Sequence, residues 1–495
     1  MHVHVLTGIL RRAVWACALP AAAWAAEPSP VTVTLRPAEA GAEIPADFCG
    51  ASYEVALARP GGDGVRYFRP HHRALVGTFR LLGVRSLRIG GNTSDRDAVA
   101  APTRADLDSL FGFAQAADAK VIYCLRLRGG DPAADAATAK YLTERYRPLL
   151  DSFSIGQEPS AYPVGPAHPR TAEEIRGGAP EKFPYETYRD DWRRFAAAIV
   201  AAVPDVRLCG PSVHNNPGWT RRFIDDFGRG AHVVLVTEHL YPGGAAGLVP
   251  SPPAGRDGML GPDFVRAYQK LYDGFVPQAR ADGLPYRLEE ANSFYNGGAD
   301  GVSDTFASAL WGLDFMWWWA AHGAAGINFH GGDTVSAGGR LRVSRYAAFV
   351  TEGAGFRIRP LGYGIKAFEL GAQGRIVPAE LTANPGQLNL TAYAALAADG
   401  SLVATLINKE HGGSGRSARV TLAPGRNRAA AVTLALAAPG GDVAAKAGVT
   451  LGGAPIGDDA SWAGAWTPAP AADASGALTI SLPPATALVI KYAAP

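Results

Sequence analysis

The chain has 495 residues, enough for one large domain and a smaller one. Hydrophobic residues at 47% against 19% charged exclude wholesale disorder. Lys and Arg number 47 against 45 Asp and Glu, a balance that argues against nucleic acid as a partner.

Residues 1–26 read MHVHVLTGILRRAVWACALPAAAWAA. The basic pair Arg11-Arg12, the apolar run from Ala13 to Ala23 and the small-x-small triplet Ala23-Trp24-Ala25 predict a signal peptide over 1–25. The expected product is exported, either periplasmic or secreted. Arg11 and Arg12 leave with it, and the two charge signs then become equal. Cys17 leaves too. Cys49, Cys124 and Cys209 remain, each inside a short apolar run, which predicts buried free thiols on strands rather than a disulfide framework or metal site. The most apolar patch, Phe315 to Trp319, is bracketed by Asp314 and His322 and is too short for a membrane span.

VTVTL (31–35) alternates and predicts an N-terminal strand, within 27–46, that joins a later sheet. Eight apolar runs then follow at 47–54, 84–91, 120–127, 151–159, 206–213, 233–241, 286–293 and 325–332, with helix-length segments in most gaps. Tyr188, Trp192, Phe195, Ile199 and Val203 share one helical face, as do Phe264, Tyr268, Leu271, Tyr272 and Phe275. Asp304 is the expected N-cap of a helix carrying Phe306, Leu310, Leu313 and Trp317. Eight strand-helix units predict an α/β fold, a (β/α)8 TIM barrel over 47–371. A doubly wound open sheet is the alternative, but no GxGxxG follows the first run. The connection 160–184, rich in Pro and Gly, reads as a lid at the barrel mouth. Beyond Gly371, short alternating runs separated by turn residues predict a C-terminal antiparallel β-sandwich over 372–495, which takes in the N-terminal strand.

Strand ends at the carboxyl face of a parallel barrel share one pocket. The ionisable groups there are Glu54, Glu158, Glu238, His239, Glu289, Glu290 and His330. Carboxylates predominate, and no HxH, HExxH or phosphate cradle appears, so no metal or organic cofactor is expected. Carboxylates among aromatics (Tyr53, Tyr162, Tyr241, Phe294, Tyr295, Phe329) suit a sugar, and two carboxylates suffice to hydrolyse a glycosidic bond. Glu158 ends the fourth run and precedes Pro159, which forces its backbone out of helix. Glu290 ends the seventh run. Strand alternation puts it on the face of Tyr286 and Leu288, opposite Glu289 and Arg287.

Glutamates after strands four and seven resemble the clan A retaining glycoside hydrolases. Three segments, LRIGGNTSD (87–95), SIGQEPS (154–160) and the long block 290–332, are similar to glycoside hydrolase family 79, which contains β-glucuronidases and heparanases. The resemblance implies Glu158 as general acid/base, Glu290 as nucleophile and Tyr241, with His239 on the same strand, as the nucleophile's partner. It implies a uronate site from Tyr295, Gly297 and Gly298, with Tyr346 from the loop after strand eight. Glu54 would bind hydroxyls of the terminal ring and His239 would contact substrate. Gln157 stands where the family usually has an Asn that bonds the 2-hydroxyl. The implied activity is a retaining exo-β-glucuronidase acting on a β-glucuronide oligosaccharide or glycoside. The rivals are an endo-acting heparanase-like enzyme, which a Lys/Arg cluster beside the pocket would favour, a relative acting on neutral sugars, and a non-catalytic glucuronide-binding protein. The sequence assigns no oligomeric state.

Overall fold

The computed structural model describes residues 27–95, 99–163, 183–425, 428 and 430–494. The predicted signal peptide lies outside the described residues, as does most of the predicted lid. After β1 (Ser29–Leu35), eight strands close into a parallel barrel: β2 (Cys49–Glu54), β3 (Ser86–Gly90), β4 (Lys120–Leu125), β5 (Leu150–Ile155), β6 (Leu208–His214), β7 (Val233–Leu240), β8 (Tyr286–Ala291) and β9 (Gly326–His330). Pairing of β9 back onto β2 completes the closure, so the open-sheet alternative falls. Every predicted run supplies one strand. The three cysteines sit on β2, β4 and β6 as buried free thiols.

Amphipathic helices cover the barrel. Tyr185–Ala202 buries Tyr188, Trp192, Phe195 and Ile199, and Pro262–Ala281 buries Phe264, Tyr268, Leu271 and Phe275, as their spacing requires. Phe306–Ala321 differs, being buried on nearly every side. It is wedged between the barrel wall and a second sheet, where Trp317 stacks on Tyr393 with ring centroids 5.6 Å apart. Its N-cap is Thr305, not Asp304. Asp304 turns back into the preceding loop, accepting from the Gly301 N–H at 2.8 Å and pairing with Lys446 at 2.8 Å, so its oxygens are not at the helix start. No helix among the described residues is long and apolar enough to cross a membrane.

Two short hairpins lie between β9 and the last barrel helix, Pro360–Gly371: β10 (Thr334–Ala337) with β11 (Arg340–Val343), and β12 (Phe349–Glu352) with β13 (Gly355–Ile358). The remaining strands are β14 (Arg375–Val377), β15 (Ala379–Ala383), β16 (Leu390–Leu396), β17 (Leu402–Asn408), β18 (Ala418–Ala423), β19 (Ala431–Ala437), β20 (Thr450–Leu451), β21 (Thr467–Pro468), β22 (Leu478–Leu482) and β23 (Thr486–Tyr492). They form two facing sheets, β15-β1-β18-β22 and β14-β16-β17-β23-β19-β20, with β21 on β19. Val31, Val33 and Leu35 enter the core between them because β1 alternates. The sandwich is not wholly antiparallel: β1 runs parallel to β18 and antiparallel to β15. A strand arriving from before the barrel is free of the hairpin connections that impose antiparallel order.

The barrel and the sandwich are joined by a buried ion pair. Asp314 accepts from Thr391 (2.7 Å), Tyr393 (2.8 Å) and Lys409 (2.8 Å), and both charged side chains are 5% exposed. Asp314→Ala leaves the Lys409 ammonium uncompensated in a dry junction. It should cost about 3–5 kcal/mol of unfolding free energy, read by urea titration.

Candidate active site

The barrel's carboxyl end gathers its polar groups around an enclosed arginine. Arg88 on β3 lies between Leu87 and Ile89, so alternation sends it inward. Its Nη1 donates to Glu290 Oε2 at 2.8 Å and its Nη2 to Gln157 Oε1 at 2.5 Å, while its Nε stands 4.0 Å from Glu289 Oε2. Gly90 makes room for it: a Cβ there would lie 2.2 Å from the guanidinium carbon.

Glu158 leaves β5 through a left-handed backbone, φ 46° and ψ 54°, strain of about 1–3 kcal/mol for a residue with a side chain. The following proline disfavours right-handed helix, and the Glu158 N–H is fixed on the Ser212 carbonyl at 2.9 Å. This turn aims the carboxylate across the mouth toward β8.

Glu290 reaches the pocket by a route that alternation alone gets wrong. Tyr286 packs outward against Phe275 and Trp319, whereas Arg287 and Glu289 face the interior, where Arg287 bonds Asn328 and Asp47. Strict alternation would carry Glu290 outward with Leu288. Instead the β7–β8 register slips, Glu238 pairing with Leu288 and His239 with Glu290. This irregularity turns two consecutive glutamates inward. Glu238 is the one that leaves the site: it faces the helix Pro217–Phe227 and accepts from Thr220 at 2.5 Å.

His239 lies beneath the carboxylates instead of facing open pocket. Its Nδ1 is 3.2 Å from Glu158 Oε1 and 4.0 Å from Glu290 Oε2, and its Nε2 is 3.5 Å from Glu289 Oε1. Burial would lower its pKa, but Glu290, Glu158 and Glu289 outweigh that and push it up to about 9. Burial likewise favours neutral Glu290, and here His330, His239, Arg88 and the Tyr241 hydroxyl prevail, holding its carboxyl far below the usual range. One oxygen each of Glu158 and Glu290 and one nitrogen of His239 lie within 4.8 Å of one another. Those three groups come close enough to ligate one ion together, but the Arg88 guanidinium beside Glu290 opposes a further cation.

Tyr241 donates to Glu290 Oε1 at 2.9 Å. Tyr346 is buried beside it, ring centroids 6.1 Å apart, and Tyr295 packs on Tyr241 at 6.2 Å. Gly297 and Gly298 take φ 92° and 84°, which glycine adopts without strain. A Cβ on Gly297 would meet the Val343 carbonyl at 2.9 Å, and one on Gly298 the Tyr346 nitrogen at 2.9 Å. Their own N–H groups make no hydrogen bond among the described residues. Gln157 is already engaged, its Nε2 donating to Glu290 Oε2 at 3.1 Å. Glu54 is bound into the scaffold: it accepts from the Thr93 N–H (2.9 Å), the Thr93 hydroxyl (2.8 Å) and the Ser336 N–H (3.1 Å). It thereby ties the β10–β11 hairpin to the rim.

Arg88 and Asp95, both in LRIGGNTSD, belong to this arrangement although neither is among the expected site residues. Asp95 accepts from the Gln157 N–H at 3.2 Å and from the Tyr162 hydroxyl. A charged residue between Leu87 and Ile89 on a barrel strand was the available signal. His330, also at a strand end, has its Nδ1 3.0 Å from the Ser52 hydroxyl and 3.8 Å from Glu290 Oε2.

No protein-family model matches the chain. Over 207 residues it is 26% identical to the beta-glucuronidase of Aspergillus niger, a match covering 38% of this chain and 35% of that protein. The match thus spans about a third of that relative's length. Among solved structures, a 4-O-alpha-L-rhamnosyl-beta-D-glucuronidase of Fusarium oxysporum 12S, bound to Rha-GlcA, superposes with a TM-score of 0.70 at 16% identity, over 93% of this chain and all (100%) of that one. The GH51 arabinofuranosidase of Xanthomonas axonopodis pv. citri gives 0.63 at 15% identity, over 94% and 100%. These likenesses establish the fold, a barrel followed by a β-domain.

A raised imidazole pKa stabilises the fold where the ring is protonated. The contribution of His239 is complete below its ordinary value of 6.5 and is lost as pH rises through about 9. The urea midpoint should fall between those two pH values, and fall less in His239→Gln.

Proposed function

We propose that this chain is a retaining exo-β-glucuronidase of the glycoside hydrolase family 79 type. The carrying observation is the approach of Glu158 and Glu290 to within 4.8 Å. So close an approach of one oxygen from each suits direct attack by one carboxylate, for which carboxyl groups about 5–5.5 Å apart are usual.

Glu290, kept ionised by the cations around it, attacks the anomeric carbon while Glu158 gives its proton to the departing glycosidic oxygen. The product of this step is a glycosyl ester on Glu290. Glu158, now a carboxylate, takes a proton from water as the water oxygen attacks the same carbon and releases Glu290. Arg88 and Gln157 hold one nucleophile oxygen and Tyr241 the other, so the group reacts from a fixed position. The Tyr295 and Tyr346 hydroxyls with the Gly297 and Gly298 N–H groups form a neutral donor set for the sugar's carboxylate. Neutral donors bind that anion without a cation that would compete for Glu158 or Glu290. The partial identity to the Aspergillus niger beta-glucuronidase supports the same substrate class.

One observation favours an endo-acting variant of this reading. The β10–β11 hairpin beside the glycine pair exposes Arg340 and Arg342, two cations at the pocket rim. Cleavage of an oligosaccharide capped at its non-reducing end would report it.

A panel of aryl glycosides tests the function. Glucuronide should be cleaved and glucoside, galacturonide and xyloside left; equal rates on glucoside and glucuronide would overturn the carboxylate site. Glu290→Gln should abolish turnover. Glu158→Gln should lower kcat/KM about 10²–10⁴-fold on poor leaving groups and far less on dinitrophenolate. NMR during turnover should show the β-anomer of glucuronic acid first.

A further inference from the structure

The proposed reaction uses one member of the Glu289-Glu290 pair and leaves the other unexplained. Glu289 is wholly enclosed in the barrel interior, directly below the site. Neither of its oxygens has a hydrogen-bond partner within normal limits among the described residues. The same is true of two nitrogens that face it, Arg88 Nε at 4.0 Å and His239 Nε2 at 3.5 Å. A carboxylate in a dry interior is sustained chiefly by neighbouring positive charge, and here the Ser212 hydroxyl adds a smaller contribution. The groups around Glu289 are few. Arg88 faces it from β3, Cys124 from β4, Cys209 and Ser212 from β6, His239 from β7, Glu290 from its own strand and Tyr188 from the helix Tyr185–Ala202. Burial keeps both thiols and the Tyr188 phenol neutral. Among the described residues, Arg88 and His239 are therefore the cations that offset Glu289 and Glu290 together, while His330 stands beside Glu290 and Glu54 but not Glu289.

We propose that Glu289 is a positioning residue that holds His239 as an imidazolium, with the Nε2–H directed at Glu289 and the Nδ1–H at Glu158. Imidazole is a stronger base than carboxylate, so the proton between the two belongs to the ring. An imidazolium donates from both nitrogens. The Nδ1–H then makes Glu158 Oε1 a permanent acceptor, and the transferable proton of Glu158 is confined to Oε2. One oxygen thus gives the proton in the first step and receives it in the second, while His239 and Glu289 exchange none. Consistently, Arg88 and His239 overcome burial and hold the Glu289 carboxyl below its ordinary range.

The role of Glu158 here rests on the glucuronidase reading; the charge state of His239 does not. The test follows the imidazole 15N shifts of His239 in the full, ligand-free protein from pH 5 to 8, assigned against His239→Gln. In the natural sequence both ring nitrogens should carry protons throughout. Glu289→Gln should move the His239 midpoint down by about two pH units, into that range, and Glu289→Asp should restore most of the shift. The pH profile of kcat/KM on an aryl β-glucuronide should gain an ionisation in Glu289→Gln that the natural protein lacks, which mere loosening of the core would not produce. A neutral imidazole in the natural protein at pH 7, or a Glu289→Gln titration matching it, overturns the proposal. Where Glu289→Gln does not fold, the natural protein and Glu289→Asp decide. Expected shifts without glucuronide turnover would sink the functional reading and leave the role of Glu289 standing.

Discussion

The site depends on a positive charge sealed inside the barrel. Arg88 cannot lose its proton, and its guanidinium reaches Gln157 and Glu290 by hydrogen bonds and Glu289 by charge alone. Without it, two adjacent buried glutamates would repel each other and take up protons. With it, Glu290 stays an anion in surroundings that disfavour anions, and Gln157 is locked against it. Gly90, which a side chain would drive into the guanidinium, is part of the same arrangement.

Around this cation the acids differ by environment, not by type. Glu290 is ringed by Arg88, His239, His330 and a phenol. Glu158 sits on a strained turn with one histidine at its side. Glu238, next to His239 in sequence, faces a helix, where burial pushes it up to about 8. Identical side chains acquire separate protonation states because the strands deliver them to different neighbours.

Much of this was legible in the chain. The eight runs emerged as barrel strands because each carries a short apolar core suited to a parallel sheet covered on both faces, and eight such units suffice to close it. Glu158 and Tyr241 lie at strand exits, and their place follows from that alone. Alternation alone misplaces Glu290, since the inward face belongs to Arg287 and Glu289 and a register slip brings Glu290 in. Such slips depend on the neighbouring strand and leave no mark in local periodicity. The parallel pairing of β1 with β18, the second bond of Asp304 and the capture of Glu54 by Thr93 and Ser336 share this cause. Each depends on a partner far away in sequence. Arg88 was discoverable, being the charged residue in an otherwise apolar alternating strand.

The placement of β1 has a consequence for how the molecule is made. Val31, Val33 and Leu35 are among the first described residues, yet the strand lies between β15 and β18, and its parallel neighbour spans Ala418–Ala423. A ribosome must therefore synthesise the whole barrel before that neighbour exists. Until then three apolar side chains travel without cover on an unpaired strand, a long-range closure of the kind that slows folding and invites association between nascent chains. The sandwich is thus a clasp that fastens only after the barrel has been made, drawing two distant parts of the polypeptide together.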